Sequence, residues 1–243
     1  AGTATVNLTS DVDVLVDIEN VTTWDYDDKV TGNSGANLII TGDGNDTLIG
    51  NQGNDTLNGG APGTGGGGAG DWVIYSGDPA AVVVDLSDGK ATDGWGGSDV
   101  LIGIELVTGS AFDDQIHGNG VDNSIDGGNG NDTLSGGAGI DTLIGGLGTD
   151  TATYQKASAA IVVNMSSSTE VANDGDGGDD NLTSIERVVG SAFNDTISGS
   201  GNDESFDGGA GNDSIGGGGG SDNIDGSPGN DTLDGEGGTR SEE

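Results

Sequence analysis

The sequence predicts an all-β chain wound as a parallel solenoid of very short strands. Three observations carry that expectation. A nine-residue unit repeats through most of the chain, one apolar residue recurs at a fixed place in each unit, and 52 of the 243 residues are glycine.

The unit is clearest in Gly127-Gly128-Asn129-Gly130-Asn131-Asp132-Thr133-Leu134-Ser135 and recurs from Gly136, Gly145, Gly208, Gly217 and Gly226. Its form is G-G-x-G-x-D-x-U-x, with U apolar. Glycines permit the positive-φ turn geometry that other residues resist, and x-U-x is a strand just long enough to bury one side chain. In the first run the U positions are Val21, Val30, Ile39, Leu48 and Leu57. In the second they are Val107, Ile116, Ile125, Leu134 and Leu143, and in the third Val188, Ile197, Phe206, Ile215, Ile224 and Leu233. Glycine and Asn-Asp pairs punctuate nearly every turn length, which excludes helix.

Two residues before each U lies an oxygen donor. The set is Glu19, Asp28, Asn37, Asp46 and Asp55, then Glu105, Asp114, Asn123, Asp132, Asp141 and Asp150, then Glu186, Asp195, Glu204, Asp213, Asp222 and Asp231. With 42 acidic and 5 basic residues the formal charge is −37, and a compact state repels itself unless cations lie between the carboxylates. Hydrophobic residues make up only 30% and cysteine is absent, so neither a large core nor disulfides can staple the fold. A hard cation with oxygen ligands can, and calcium fits best. The charge excludes nucleic acid as a partner, and no run of 18 apolar residues offers a membrane span.

A coarser repeat overlays the first. Ile18-Glu19, Ile104-Glu105 and Ile185-Glu186 each introduce a run of nonamers. Upstream of the second and third lie matching lead-ins, Asp71-Trp72-Val73-Ile74-Tyr75 with Val82-Val83-Val84-Asp85-Leu86, and Asp150-Thr151-Ala152-Thr153-Tyr154 with Ile161-Val162-Val163-Asn164-Met165, which read as longer strands. The first copy keeps only Thr5-Val6-Asn7-Leu8, so the chain starts in mid-repeat. Three modules follow, 1–70, 71–149 and 150–243, on one solenoid. The stretch 59–70 breaks the nine-residue phase and reads as a flexible loop.

These nonamers resemble those of the repeats-in-toxin family of calcium-binding proteins. The resemblance implies a parallel β-roll or β-helix with calcium ions bound in the glycine-rich turns, two nonamers to a coil. Like-facing residues eighteen apart then share an ion: Asp28 with Asp46, Asp114 with Asp132, Asp132 with Asp150, Asp195 with Asp213, and Asp213 with Asp231. It also implies a secreted bacterial protein that folds on meeting millimolar calcium. Asn37, Asn123 and Glu204 depart from the Asp of the pattern, and Glu19, Glu105 and Glu186 lie outside the strict motif but in its register.

No catalytic signature stands apart from this pattern. His117, the one histidine, reads as a surface residue, and Asp174-Gly175-Asp176-Gly177-Gly178 reads as a polar loop with room for an incidental ion. Trp24, Trp72 and Trp95 read as packing or capping residues rather than sugar platforms. The functional expectation is a non-enzymatic extracellular structural module, associating head to tail with other copies in an adhesin, surface layer or filament. The second reading is an accessory module of a secreted enzyme that touches polysaccharide. The last nonamer, from Gly235, sets Arg240 where its predecessors carry Asp or Glu, which predicts the end of the ion row.

Overall fold

The computed structural model describes residues 2–5, 18–60, 70–166, 170–235 and 239–241. Among them there is no helix; almost every strand is three residues long and pairs in parallel. The chain divides into two compact units, 1–117 and 118–243.

In unit 1 successive nonamers alternate between two sheets, so each strand pairs with the one two units on. In one sheet Val21 pairs with Ile39, Ile39 with Leu57 and Leu57 with Leu101. In the other, Val30 pairs with Leu48, Leu48 with Val73 and Val73 with Val107. The U residues therefore stack in columns between the sheets, each flanked by more exposed neighbours, and Ile39, Leu48, Leu57, Val73 and Val107 are no more than 1% exposed. One β-branched or leucine side chain per nonamer strand, two to a coil, is most of the apolar payload, which explains why so little hydrophobic sequence closes a core.

Unit 2 repeats the plan. Leu134 pairs with Ala152, Ala152 with Val188, Val188 with Phe206 and Phe206 with Ile224. Opposite them Ile125 pairs with Leu143 and Leu143 with Leu182, while Val163, Ile197, Ile215 and Leu233 form a further column.

The lead-ins differ from expectation. Trp72–Ile74, Val83–Asp85, Thr151–Thr153 and Val162–Asn164 are three residues each, no longer than the nonamer strands, because the turns on either side set the width of a coil. The additional sequence folds instead into antiparallel hairpins. Val83–Asp85 pairs with Lys90–Thr92, which pairs with Ser98–Ile102. In unit 2 Val162–Asn164, Glu170–Asn173 and Asp179–Thr183 do the same. Trp24 and Trp95 are also not packing residues, at 60% and 49% exposure. Trp72 is partly exposed and its Nε1 donates to Thr108 Oγ1.

Arg240 does not take the ligand register either. Its backbone pairs opposite Ile224, in the U column, rather than opposite Asp222. The nonamer from Gly235 has Glu242 at its own U position, so no apolar side chain pins the nine-residue register there. Val6, Asn7 and Leu8 of the first lead-in, and residues 61–69 of the phase-breaking stretch, lie outside the described residues.

Candidate metal centre

Each candidate ligand sits one residue before its strand, where the turn hands over to x-U-x. Its backbone direction is thus set by the buried U residue two positions on. Asp28, Asn37, Asp46, Asp55, Glu105 and Asp114 in unit 1 are buried. So are Asn123, Asp132, Asp141, Asp150, Asp195, Glu204, Asp213 and Asp222 in unit 2, while Glu19, Glu186 and Asp231 are half-buried.

Hydrogen bonds join these side chains into ladders. In unit 1 the Asp28 N–H donates to Asp46 Oδ1 (2.8 Å), the Asp46 N–H to Asp71 Oδ1 (2.9 Å), and the Asp71 N–H to Glu105 Oε2 (2.9 Å). A second row runs from the Asn37 N–H to Asp55 Oδ1 (2.7 Å) and from the Asp55 N–H to Asp99 Oδ1 (2.9 Å). Asp114 accepts from the Val82 N–H at 2.7 Å and from the Ser110 hydroxyl at 2.8 Å.

Unit 2 has the same rows. Asn123 leads to Asp141 (2.7 Å) and Asp141 to Asp180 (3.1 Å); Asp132 leads to Asp150 (2.8 Å) and Asp150 to Glu186 (2.9 Å). Asp195 leads to Asp213 (2.8 Å), Asp213 to Asp231 (2.9 Å), and Glu204 to Asp222 (3.1 Å).

Asp71, Asp99 and Asp180 are rungs that counting by nine does not find. The signal was present: each stands two residues before a buried apolar residue, Val73, Leu101 or Leu182. The D-x-U spacing survives where the nine-residue phase is broken.

In many rungs one oxygen holds the ladder together, which leaves the other; Asp99, Asp180, Asp114 and Asp195 have both oxygens hydrogen-bonded. Oδ2 of Asp28, Asp46, Asp55, Asp71, Asp141 and Asp213 is buried and accepts no hydrogen bond. A buried carboxylate oxygen without a partner is costly, by about 1–3 kcal/mol or more for a charged group. These atoms face the glycine turns. A Cβ built on Gly50 would lie 2.5 Å from Asp55 Oδ2, and one on Gly208 would lie 2.5 Å from Asp213 Oδ2, so only glycine leaves that space open. Carbonyl oxygens line the same turns, as at Gly32, where a Cβ would fall 2.6 Å from the Gly50 oxygen.

The electrostatics agree. Burial pushes the Asp55 and Asp141 carboxyls up to about 6 and those of Asp71, Asp99 and Asp180 up to about 7. Burial also raises Asp28, Asp46, Asp114 and Asp213. Rows of carboxylates pointing one oxygen each into a carbonyl-lined turn are a hard, anionic donor set, and calcium, which takes six to eight oxygens in flexible geometry, fits it. Among the described residues no three His, Cys, Asp or Glu side chains converge on one point. The backbone therefore has to supply most of each coordination shell.

Comparison with known proteins agrees with this geometry. The RTX calcium-binding nonapeptide repeat (4 copies) matches residues 25–61, 96–134, 108–143, 117–152, 174–215 and 216–239, well over half of the chain. No curated protein sequence matches it. Matched across both units and carrying the buried oxygen ladders its turns require, the chain belongs to the RTX calcium-binding nonapeptide repeat family, whose repeat arrays bind several calcium ions.

Proposed function

We propose that this protein is a secreted, non-enzymatic structural module whose folding is driven by calcium and which associates end to end with further copies. The observation that carries the reading is the buried, unpartnered Oδ2 atoms of Asp28, Asp46, Asp55, Asp71, Asp141 and Asp213 along the ladders. The ligands are the ladder carboxylates, Asp28, Asp46, Asp55 and Asp71 in unit 1 and Asp132, Asp141, Asp150, Asp195, Asp213, Asp222 and Asp231 in unit 2, with turn carbonyls completing each shell. The three modules are 1–70, 71–149 and 150–243. Without the ions, a formal charge of −37 and a core of single-residue columns cannot hold the chain compact, so binding energy becomes folding energy.

End-to-end association follows from the sheet edges. Among the described residues Thr232–Asp234 pairs on one side only, with Ser214–Gly216, and an open edge of this kind templates pairing with another chain. Far-ultraviolet circular dichroism of calcium-saturated and metal-stripped protein tests the folding step, and electron microscopy at millimolar calcium tests the assembly. A β-rich spectrum that survives complete calcium removal sinks the first claim. Monomers alone at high protein concentration sink the second.

A further inference from the structure

Asp99, Asp114, Asp180 and Asp195 differ from the other rungs in where their second oxygen goes. Asp99 Oδ2 accepts the Tyr75 hydroxyl at 3.3 Å and Asp180 Oδ2 the Tyr154 hydroxyl at 3.2 Å, while their Oδ1 atoms take the ladder N–H. Both tyrosines are buried. Asp114 Oδ1 accepts the Ser110 hydroxyl at 2.8 Å, and its Oδ2 accepts the Ser110 N–H at 2.5 Å. Asp195 does the same with Ser191, at 2.7 and 2.6 Å. Protein donors thus meet oxygens of the kind that the nonamer turns leave for a cation.

The two serine turns are also built differently. Gly109-Ser110-Ala111-Phe112-Asp113-Asp114 and Gly190-Ser191-Ala192-Phe193-Asn194-Asp195 carry serine and phenylalanine where G-G-x-G-x-D has its second and fourth glycines. In the nonamer from Gly127 those glycines, Gly128 and Gly130, take φ of 98° and 132°, whereas none of the four replacements has a positive φ. Each serine hydroxyl instead accepts the N–H of the phenylalanine two residues on, at 3.2 and 3.1 Å, a side-chain turn that closes without a metal.

Burial is concentrated in the same segments. Ten buried apolar side chains lie between 71 and 117, against three between 118 and 150. In unit 2 the described residues between 151 and 198 bury eleven, against four between 199 and 235. Each segment also pairs strands that are close in sequence, Val83–Asp85 with Lys90–Thr92 and Val162–Asn164 with Glu170–Asn173, and such local pairing closes only a short loop. The hairpin tips are the exception, since Asp93 and Asp174 keep a buried Oδ2 with no hydrogen-bond partner.

We propose that each lead-in, 75–117 and 154–198, is a folding seed that closes without calcium, with Tyr75, Ser110, Tyr154 and Ser191 taking the part that ions take in the nonamer rows. The rows grow from the seeds when calcium arrives. In unit 2 the seed offers Thr196–Ser198 as a formed edge on which Ser214–Gly216 pairs. The inference rests on the calcium-driven folding of the nonamers and gives that folding a starting point. The seeds hold a minor share of the strands, so loss of most of the β signal in chelator remains the expectation.

Hydrogen exchange read by mass spectrometry on the metal-stripped full chain locates the seeds. Amides in 82–86, 113–117, 161–165 and 195–198 should exchange about ten-fold or more slowly than those in the nonamers 37–57 and 206–233. The variant carrying Tyr154→Phe and Ser191→Ala should lose protection at 161–165 and 195–198 and retain it at 82–86 and 113–117. Its far-ultraviolet spectrum in saturating calcium should match the wild type. Fast exchange throughout the stripped wild type, or protection that survives the double substitution, overturns this inference alone. Slow exchange spread evenly over the nonamers as well overturns the calcium-driven reading together with it.

Discussion

Replacing Phe206 by alanine should raise the calcium concentration needed for folding, by an amount the structure sets. Phe206 is 1% exposed and stacks between Val188 and Ile224 as the largest side chain of its column. Removing the ring from a column one residue wide leaves a cavity that neighbouring coils cannot close, at a cost of about 3–5 kcal/mol. Because the fold is coupled to the ions, that loss is offset by mass action on calcium. The hydrogen-bonded rungs of unit 2 make room for about seven ions, so a loss of about 4 kcal/mol is about 0.6 kcal/mol per ion, a rise of roughly 2.5-fold in the midpoint. Phe206→Leu, which keeps most of the volume and costs about 1 kcal/mol, should shift it by only about 1.3-fold. Circular dichroism during calcium titration reads both midpoints. Equal midpoints for wild type and the alanine variant would refute the coupling of core to ions, as would a variant that stays folded in chelator.

Acidity should act on the metal-free chain in the direction opposite to that on an ordinary acidic protein. Asp55, Asp71, Asp99, Asp141 and Asp180 have carboxyls raised from 3.8 to about 6 or 7 by burial in the metal-free fold. A raised carboxyl favours folding below its unfolded value and loses that contribution as pH rises through its folded value, so lowering pH from 8 to 5 should restore β signal to metal-stripped protein. Calcium binding at pH 6 should release protons, seen as a buffer-dependent calorimetric enthalpy; identical spectra at both pH values and no proton release would refute this. Asn37→Asp should add calcium affinity to the first unit, because the Asn37 Nδ2 is buried without a partner where the other rungs turn a carboxylate oxygen. An unchanged calcium isotherm would show that the row takes no ion at its first rung.

The columns and ladders were legible in the sequence because both depend on a rigid count. One apolar residue every nine, with its oxygen donor two before it, places Leu48 over Val30 and joins Asp28 to Asp46 without any knowledge of the turns between. Counting failed where the chain leaves the solenoid and returns. The rung after Asp46 lies 25 residues on, at Asp71, and the rung after Asp55 lies 44 residues on, at Asp99, because additional sequence, in the second case including a hairpin, is spliced between them. Hairpin length is set by turn chemistry and not by the coil, so the periodicity carries no record of it. The same limit applies at Arg240, where the spacing held on paper but no apolar side chain was present to enforce it.

The three Ile-Glu joints show what a longer side chain is for in this ladder, and they permit a test that separates reach from charge. Glu19, Glu105 and Glu186 each accept the backbone N–H of the preceding rung, from Gly2, Asp71 and Asp150 respectively. Their own N–H groups donate to main-chain carbonyls, those of Gly2, Asp71 and Asp150, instead of to a further carboxylate. Glutamate thus closes each row, and at Glu105 and Glu186 its extra methylene spans a joint at which the partner lies 34 or 36 residues away and not 18. If reach is what matters, Glu105→Gln keeps both length and acceptor and should leave stability in saturating calcium close to wild type. Glu105→Asp keeps the charge but falls short, stranding the buried Asp71 N–H at a cost of about 1–3 kcal/mol. Urea unfolding at fixed millimolar calcium measures both variants. The reverse order, with the glutamine variant weaker and the aspartate variant near wild type, would show that the charge at residue 105 holds an ion and that the row does not end there.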